Sequence, residues 1–442
     1  MEDIALDTGT TAWLLTSAAL VLVMIPGLAL FYGGMDRAKG VLNMTMMVMG
    51  ALGVIGILWV LFGYNAVYGD PILGNLVANP TTYGVGLEDL MVEDPEAELP
   101  AMVDVGFQLM FAAITAGLIA GAIADRAKFG AWLVFAGVWT MLSYFPVAHW
   151  VWGGGWIQEG NALTGNVGAI DLAGGTAVHI NAGAAALALA LVLGKRLGWP
   201  KTPMKPHNLT LVMLGAGLLW FGWFGFNAGS AYAADNAAGV VFTNTAVATC
   251  AGMLGWLLTE RIRDGHATSL GAASGIVAGL VAITPACGAV TPVGAIIIGA
   301  VAGVLCALAV GLKYKLGYDD SLDVVGVHLV GGLVGTIMIG FLATEVAPAG
   351  VNGLFFGGGA GQLWAQTVSA GAVMLYSFIV ALVIGLIIKS TMGFRISEDD
   401  EIAGIDKTTH AETAYELGES GGGGAFAGIG QAGLKNKEGA SA

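Results

Sequence analysis

Charge is what this sequence has least of. Asp, Glu, Lys and Arg make up 11% of its 442 residues, against about 25% in a soluble domain. So little charge cannot cover a soluble fold whose residues are 56% hydrophobic. The composition points to a polytopic membrane protein dissolved in lipid. Cysteine is scarce too. Cys250, Cys287 and Cys306 exclude a disulfide framework and show no metal-ligand spacing. No basic cluster with interleaved aromatics is present, which argues against nucleic acid as a partner. HExxH, GxSxG and paired intramembrane acids are missing, so nothing supports an enzyme, and no metal or cofactor is expected. The opening stretch MEDIALDTGTTAW is acidic and lacks a basic n-region, so no cleavable signal peptide is expected.

What the sequence does have is apolar runs. A spanning helix needs about 20 mostly apolar residues. Eleven such runs lie near 12–32, 42–64, 106–125, 130–150, 174–194, 209–228, 239–260, 270–286, 292–312, 325–343 and 361–388. Glycine supplies 71 residues, roughly twice the usual ~7% share. In lipid that abundance signals close helix packing, not broken helices. The basic residues test the count. Each of the 17 Lys and Arg follows an odd-numbered run or lies in the tail: Arg37 and Lys39, Arg126 and Lys128, Lys195 to Lys205, Arg261 and Arg263, Lys313 and Lys315, then Lys389 onward. All therefore fall on one side, which the positive-inside rule makes cytoplasmic. The expected fold is an all-α polytopic membrane protein with eleven transmembrane helices. Its N-terminus lies outside and its C-terminus is cytoplasmic. The first ten spans divide into a five-plus-five inverted repeat, followed by one further helix.

Residues 1–392 form the expected membrane domain and 393–442 a cytoplasmic tail. Within the tail, 393–416 reads as a structured segment and 417–442, with GGGG at 421–424, as a flexible end. The loop 69–104 is heavily acidic. A solvated loop is the simpler reading, and a funnel that enriches cations is the other.

Ionisable groups inside lipid are costly, so each is a functional candidate. His179 in GGTAVHINAGAA and His328 in DVVGVHLVGGLVGT sit on spans five and ten, which correspond in the repeat. Their matched positions favour a pore-lining pair. His149 reads as a span end, and His207, His266 and His410 as cytoplasmic. Asp171 and Asp323 open spans five and ten. Helix capping is the better reading for Asp323. Asp171 lies on the outer side, where a carboxylate can also help hold a cation. By pattern alone Trp152 and Phe111 would pass as belt and packing residues.

The strings AHWVWGGGW, DLAGGTAVHINAG, FGWFGFNAGS and DVVGVHLVGGLVGT resemble signatures of the ammonium transporter (Amt/Mep/Rh) family, Amt branch. So does the tail stretch GFRISEDDEIAGIDKTTHAETAY. The resemblance runs from the first span to about Tyr415. It implies an external cation site at Phe107, Trp152 and Ser230 with Asp171 beneath it. It implies a stacked gate of Phe111 and Phe226, a proton relay at His179 and His328, and Trp223 lining the inner pore. Trp152 favours the Amt branch over the Rh branch. The implied substrates are ammonium, ammonia and methylammonium. The implied assembly is a homotrimer in the inner (plasma) membrane with a pore in each subunit. The tail would dock on neighbouring subunits and meet a PII-type nitrogen-signalling protein.

Overall fold

A computed structural model describes residues 6–92, 94, 97–202 and 204–415. Among these, ten helices are long and apolar enough to cross a membrane. In chain order, together with one shorter apolar helix, they are α1 (Thr8–Met35), α2 (Val41–Tyr68), α3 (Ala101–Ile123), α4 (Phe129–Glu159), α5 (Gly175–Leu193), α6 (Leu209–Gly229), α7 (Asn236–Arg263), α8 (Ser269–Ile283), α9 (Pro292–Leu316), α10 (Val325–Leu342) and α11 (Gly361–Thr391). The short one is α8, where the sequence led us to expect a span over 270–286. Its 15 residues measure about 22 Å at 1.5 Å per residue, short of the ~30 Å hydrocarbon core. Chain turns that are themselves buried continue it to Val290. The chain is thus a helical polytopic membrane protein. The tail end at 417–442 lies outside the described residues.

Polar caps start the helices. The Asp7 carboxylate accepts from the Gly9 and Thr10 amides, Asn208 starts α6 and Asp235 starts α7. Thr291 caps α9, with Pro292 at the first helical position. Small residues set the packing. α1 lies along α6, and a Cβ at Gly215 would stand 2.4 Å from the Phe31 nitrogen. A Cβ at Gly183 of α5 would stand 2.5 Å from the Leu329 nitrogen of α10. Large apolar side chains such as Leu254, Ile262 and Ile387 are exposed around the outside, as a lipid-facing surface requires.

One end of the bundle is tied by buried charge. Arg196 grips the Asp319 carboxylate with two nitrogens, at 2.9 and 3.0 Å. Arg126 donates to the Asp319 and Ala122 carbonyls and to Ser321. Burial pushes the Arg126 guanidinium down to about 10, so it stays charged at neutral pH. Burial raises the Asp319 carboxyl, but the Arg196 hydrogen bond and charge outweigh it and hold the group below its ordinary value.

The tail folds back onto this same end. The Asp406 carboxylate accepts from the Leu42 and Asn43 amides at 3.0 and 2.8 Å, capping α2. His410 Nε2 reaches Asn43 Oδ1 at 3.0 Å, and Lys39 Nζ donates to the Ile402 carbonyl. Phe394 and Ile396 exchange backbone hydrogen bonds with Lys128 and Arg126. Glu401 holds both Arg395 and the Leu197 amide.

Candidate functional site

The site begins at a helix start. Asp171 lies ahead of α5, and its carboxylate accepts from the amides of Gly174, Gly175 and Thr176, each at 2.7 Å. The Ala177 amide and the Thr176 hydroxyl complete the set. Gly174 makes this wrap possible. Its φ is +121°, and a Cβ there would meet Val178 at 2.4 Å. Asp171 is therefore saturated with donors from its own helix.

Around Asp171 opens a vestibule of about 460 Å³. Trp152, Ser230, Phe111 and Asp171 all line it. The Trp152 indole donates to the Asp171 carbonyl at 2.9 Å, which pins the ring. The Ser230 hydroxyl donates to the Phe226 carbonyl at 2.8 Å, leaving its oxygen lone pairs as acceptors. Phe107 is fully buried and is absent from the vestibule lining. It stands edge-on behind Phe111, with ring centroids 4.9 Å apart.

Phe111 closes the vestibule floor. Its ring stacks on Phe226 at 4.2 Å and 20°. Below Phe226 lies a second, narrow space of about 10 Å³, close to the volume that admits one water. His179, His328, Trp223 and Phe226 line it, with Leu28, Ile114 and other apolar side chains. The two imidazoles meet Nδ1 to Nδ1 at 3.3 Å, with ring planes 26° apart. One Nδ1 must carry the proton of that contact and the other accept it. His179 Nε2 has no partner among the described residues. Trp223 stacks on His179 at 5.5 Å, while its N–H turns away to Thr284 Oγ1 at 2.9 Å.

Both histidines sit in π-helical turns, Gly175–Ile180 and Val325–Leu329. Such wide turns are rare and gather at functional sites. The acid that caps α10 is Asp320, not Asp323. Asp320 accepts from the Val324 and Val325 amides at 3.1 and 2.8 Å. Asp323 has φ +64° and turns instead to Lys313, at 2.6 Å. Asp171 precedes His179 by eight positions, and Asp320 precedes His328 by the same eight. That register was the signal that would have chosen Asp320.

Several residues in or beside the vestibule escaped sequence reasoning. Asp104, Gln108, Tyr68 and Tyr232 all line it. Asp104 accepts from the hydroxyls of Tyr64 and Tyr232. Of the other histidines, His149 is buried between the Val67 carbonyl and Asn75, a structural role. Among the described residues no three His, Cys, Asp or Glu side chains gather as a metal site would.

The chain is similar to known proteins along most of its length. The ammonium transporter of Mycobacterium tuberculosis is 58% identical over 435 residues, spanning 93% of this chain and 91% of its own. The ammonium transporter of Bacillus subtilis is 46% identical over 415 residues, spanning 93% and 99%. The crystal structure of Candida albicans Mep2 superposes with a TM-score of 0.79 at 34% identity, covering 89% of this chain and 88% of that one. The family model for ammonium transporters matches residues 12–415. From its first span through its docked tail, this chain belongs to the ammonium transporter family.

Proposed function

We propose that the chain takes up ammonium electrogenically. The vestibule recruits the cation at Trp152 and Ser230, in the field of Asp171, with Phe107 backing Phe111 from outside the lining. The cation gives up its proton there. Neutral ammonia passes the Phe111–Phe226 gate, and the twin histidines relay the proton separately. The observation that carries this reading is the pair of imidazoles 3.3 Å apart in a narrow, largely apolar space beneath two stacked phenyl rings.

The energetics favour splitting the ion. Moving a small cation into a dry medium costs of order 20 kcal/mol by the idealised Born estimate, less after relaxation. A desolvated cation–π contact returns only about 2 kcal/mol. Removing the proton from an amine with a Lys-like pKa near 10.4 costs roughly 4–5 kcal/mol at pH 7. Imidazole can donate and accept at neutral pH, so a facing pair suits a relay. Potassium has no proton to lose and is rejected.

The same reading extends to the assembly. The chain crosses the plasma membrane eleven times, N-terminus outside and tail in the cytoplasm, with α8 and its buried continuation as the eighth crossing. Residues 1–392 are the transport domain and 393–442 the regulatory tail. Three copies form a homotrimer, methylammonium is a second substrate, and a PII-type signalling protein meets the cytoplasmic face. Solid-supported-membrane recording of purified protein tests the core of it. An ammonium pulse should give a current and a potassium pulse none. Ammonium transport that moves no charge would leave a passive ammonia channel instead.

A further inference from the structure

Two carboxylates line the vestibule, and they differ in what they have left to offer. Asp171 is fully occupied by the donors of its own helix turn. Asp104 is not. Its Oδ1 accepts from the Tyr232 hydroxyl at 2.5 Å and its Oδ2 from the Tyr64 hydroxyl at 2.7 Å. Each carboxylate oxygen offers two acceptor positions, so each retains one. Gln108 Nε2 donates to the Tyr232 hydroxyl at 2.6 Å. That donation commits the Tyr232 proton to Asp104, and the chain of hydrogen bonds runs one way, toward the Asp104 carboxylate.

Tyr232 is held in this position at some conformational expense. Its φ is +56°, a left-handed conformation that is an outlier for a bulky side chain. Strain of this kind is retained where the surroundings over-determine it, and it gathers at functional sites. Its ring also stands edge-on to Phe107 at 5.8 Å. The Tyr68 hydroxyl, buried and without a partner among the described residues, belongs to the same vestibule. Its oxygen can accept from an N–H donor.

We propose that Asp104, oriented by Tyr232 and Gln108, is a specificity-determining carboxylate of the vestibule that binds the incoming alkylammonium or ammonium cation directly through its unused oxygen positions. Asp171 then shapes the deeper end, and Asp104 supplies the negative charge that ligates. The assignment rests on the reading of the vestibule as the ammonium mouth.

The test measures radiolabelled methylammonium uptake by full-length protein in proteoliposomes. Asp104→Asn should raise the half-saturation concentration about threefold to tenfold, the scale for one unit charge in a wet, screened site. The maximal rate should move by less than twofold. Asp104→Glu should recover most of the loss. Tyr232→Phe keeps the ring over Phe107 and should shift half-saturation the same way by a smaller factor. An impermeant salt should raise the half-saturation of wild type more than that of Asp104→Asn. A purely structural Asp104 would lower the maximal rate and leave half-saturation and its salt dependence alone, which overturns the assignment. If Asp104→Asn does not reach the bilayer, Tyr232→Phe decides, and an unchanged half-saturation overturns it as well. Charge movement is read separately. Its absence in wild type sinks the proton relay and leaves the half-saturation result to stand by itself.

Discussion

His179 Nε2 is a buried polar atom with no partner among the described residues, and such atoms call for an explanation. Its place in the narrow space beneath Phe226 supplies one, because a passing ammonia would find a hydrogen-bonding atom there. Replacing His179 or His328 with Ala removes one half of the 3.3 Å contact and strands the other half, at about 1–3 kcal/mol locally. The ammonium-evoked current should fall about a hundredfold or more, the low side of what a positioned acid–base group contributes. Discrimination against potassium should loosen, because a wider and wetter passage lowers the barrier to permanent cations. Asp or Glu at either position should keep more transport than Ala. Recordings on correctly folded protein check this, and wild-type current in both alanine variants would return the histidines to ordinary packing. The pair was legible in the sequence because an ionisable residue in lipid stands out against an apolar background. Asp104 and Tyr232 were not. An acid near the start of a helix reads as a cap or a solvated charge, and nothing in AGSAYAADN announces a left-handed Tyr232. Only the folded chain brings residues 128 positions apart into contact.

At the scale of elements, the histidine pair depends on how closely α5 and α10 approach. Gly183 permits that approach, since its side of α5 presses on the Leu329 backbone. Backbone cannot step aside as a flexible side chain can. Gly183→Ala should therefore push the helices apart and cost about 1–3 kcal/mol, as overpacking does. Thermal melting in detergent should show the loss, and transport should drop with it. Unchanged melting and unchanged flux would mean that the pair tolerates looser packing. The sequence announced the small-residue packing through its glycine content. It could not announce the wide turns that carry both histidines, since a π turn leaves no hydrophobic period of its own. The tail depends on a few contacts with the loops of its own chain, Asp406 on α2 chief among them. Losing a cap costs about 1 kcal/mol. Asp406→Ala should expose residues after Gly404 to limited proteolysis. Deleting everything after Met392 should reduce or deregulate transport while leaving the vestibule intact. A deletion with normal activity and normal response to a PII-type protein would make the tail a solubilising appendage.

At the scale of the whole molecule, the expectation of eleven crossings rests on basic residues on alternate loops, because one missed span would scatter them over both faces, whereas ten described helices are long enough to cross and α8 by itself is too short. Assembly leaves a fainter trace, since a lipid-facing surface and a subunit-facing surface are both apolar and both rich in small residues. The homotrimer proposed above carries one pore in each subunit. Mass measurement in detergent should find the trimer, and a monomer at native concentration would count against it. Mixed trimers test the independence of the pores. Wild-type chains co-expressed with His179→Ala chains should give a current that falls in direct proportion to the fraction of wild-type subunits. A steeper fall would mean that subunits regulate one another. The docked tail, folded onto the loops beneath its own pore, would then be the first element to examine for contact with its neighbour.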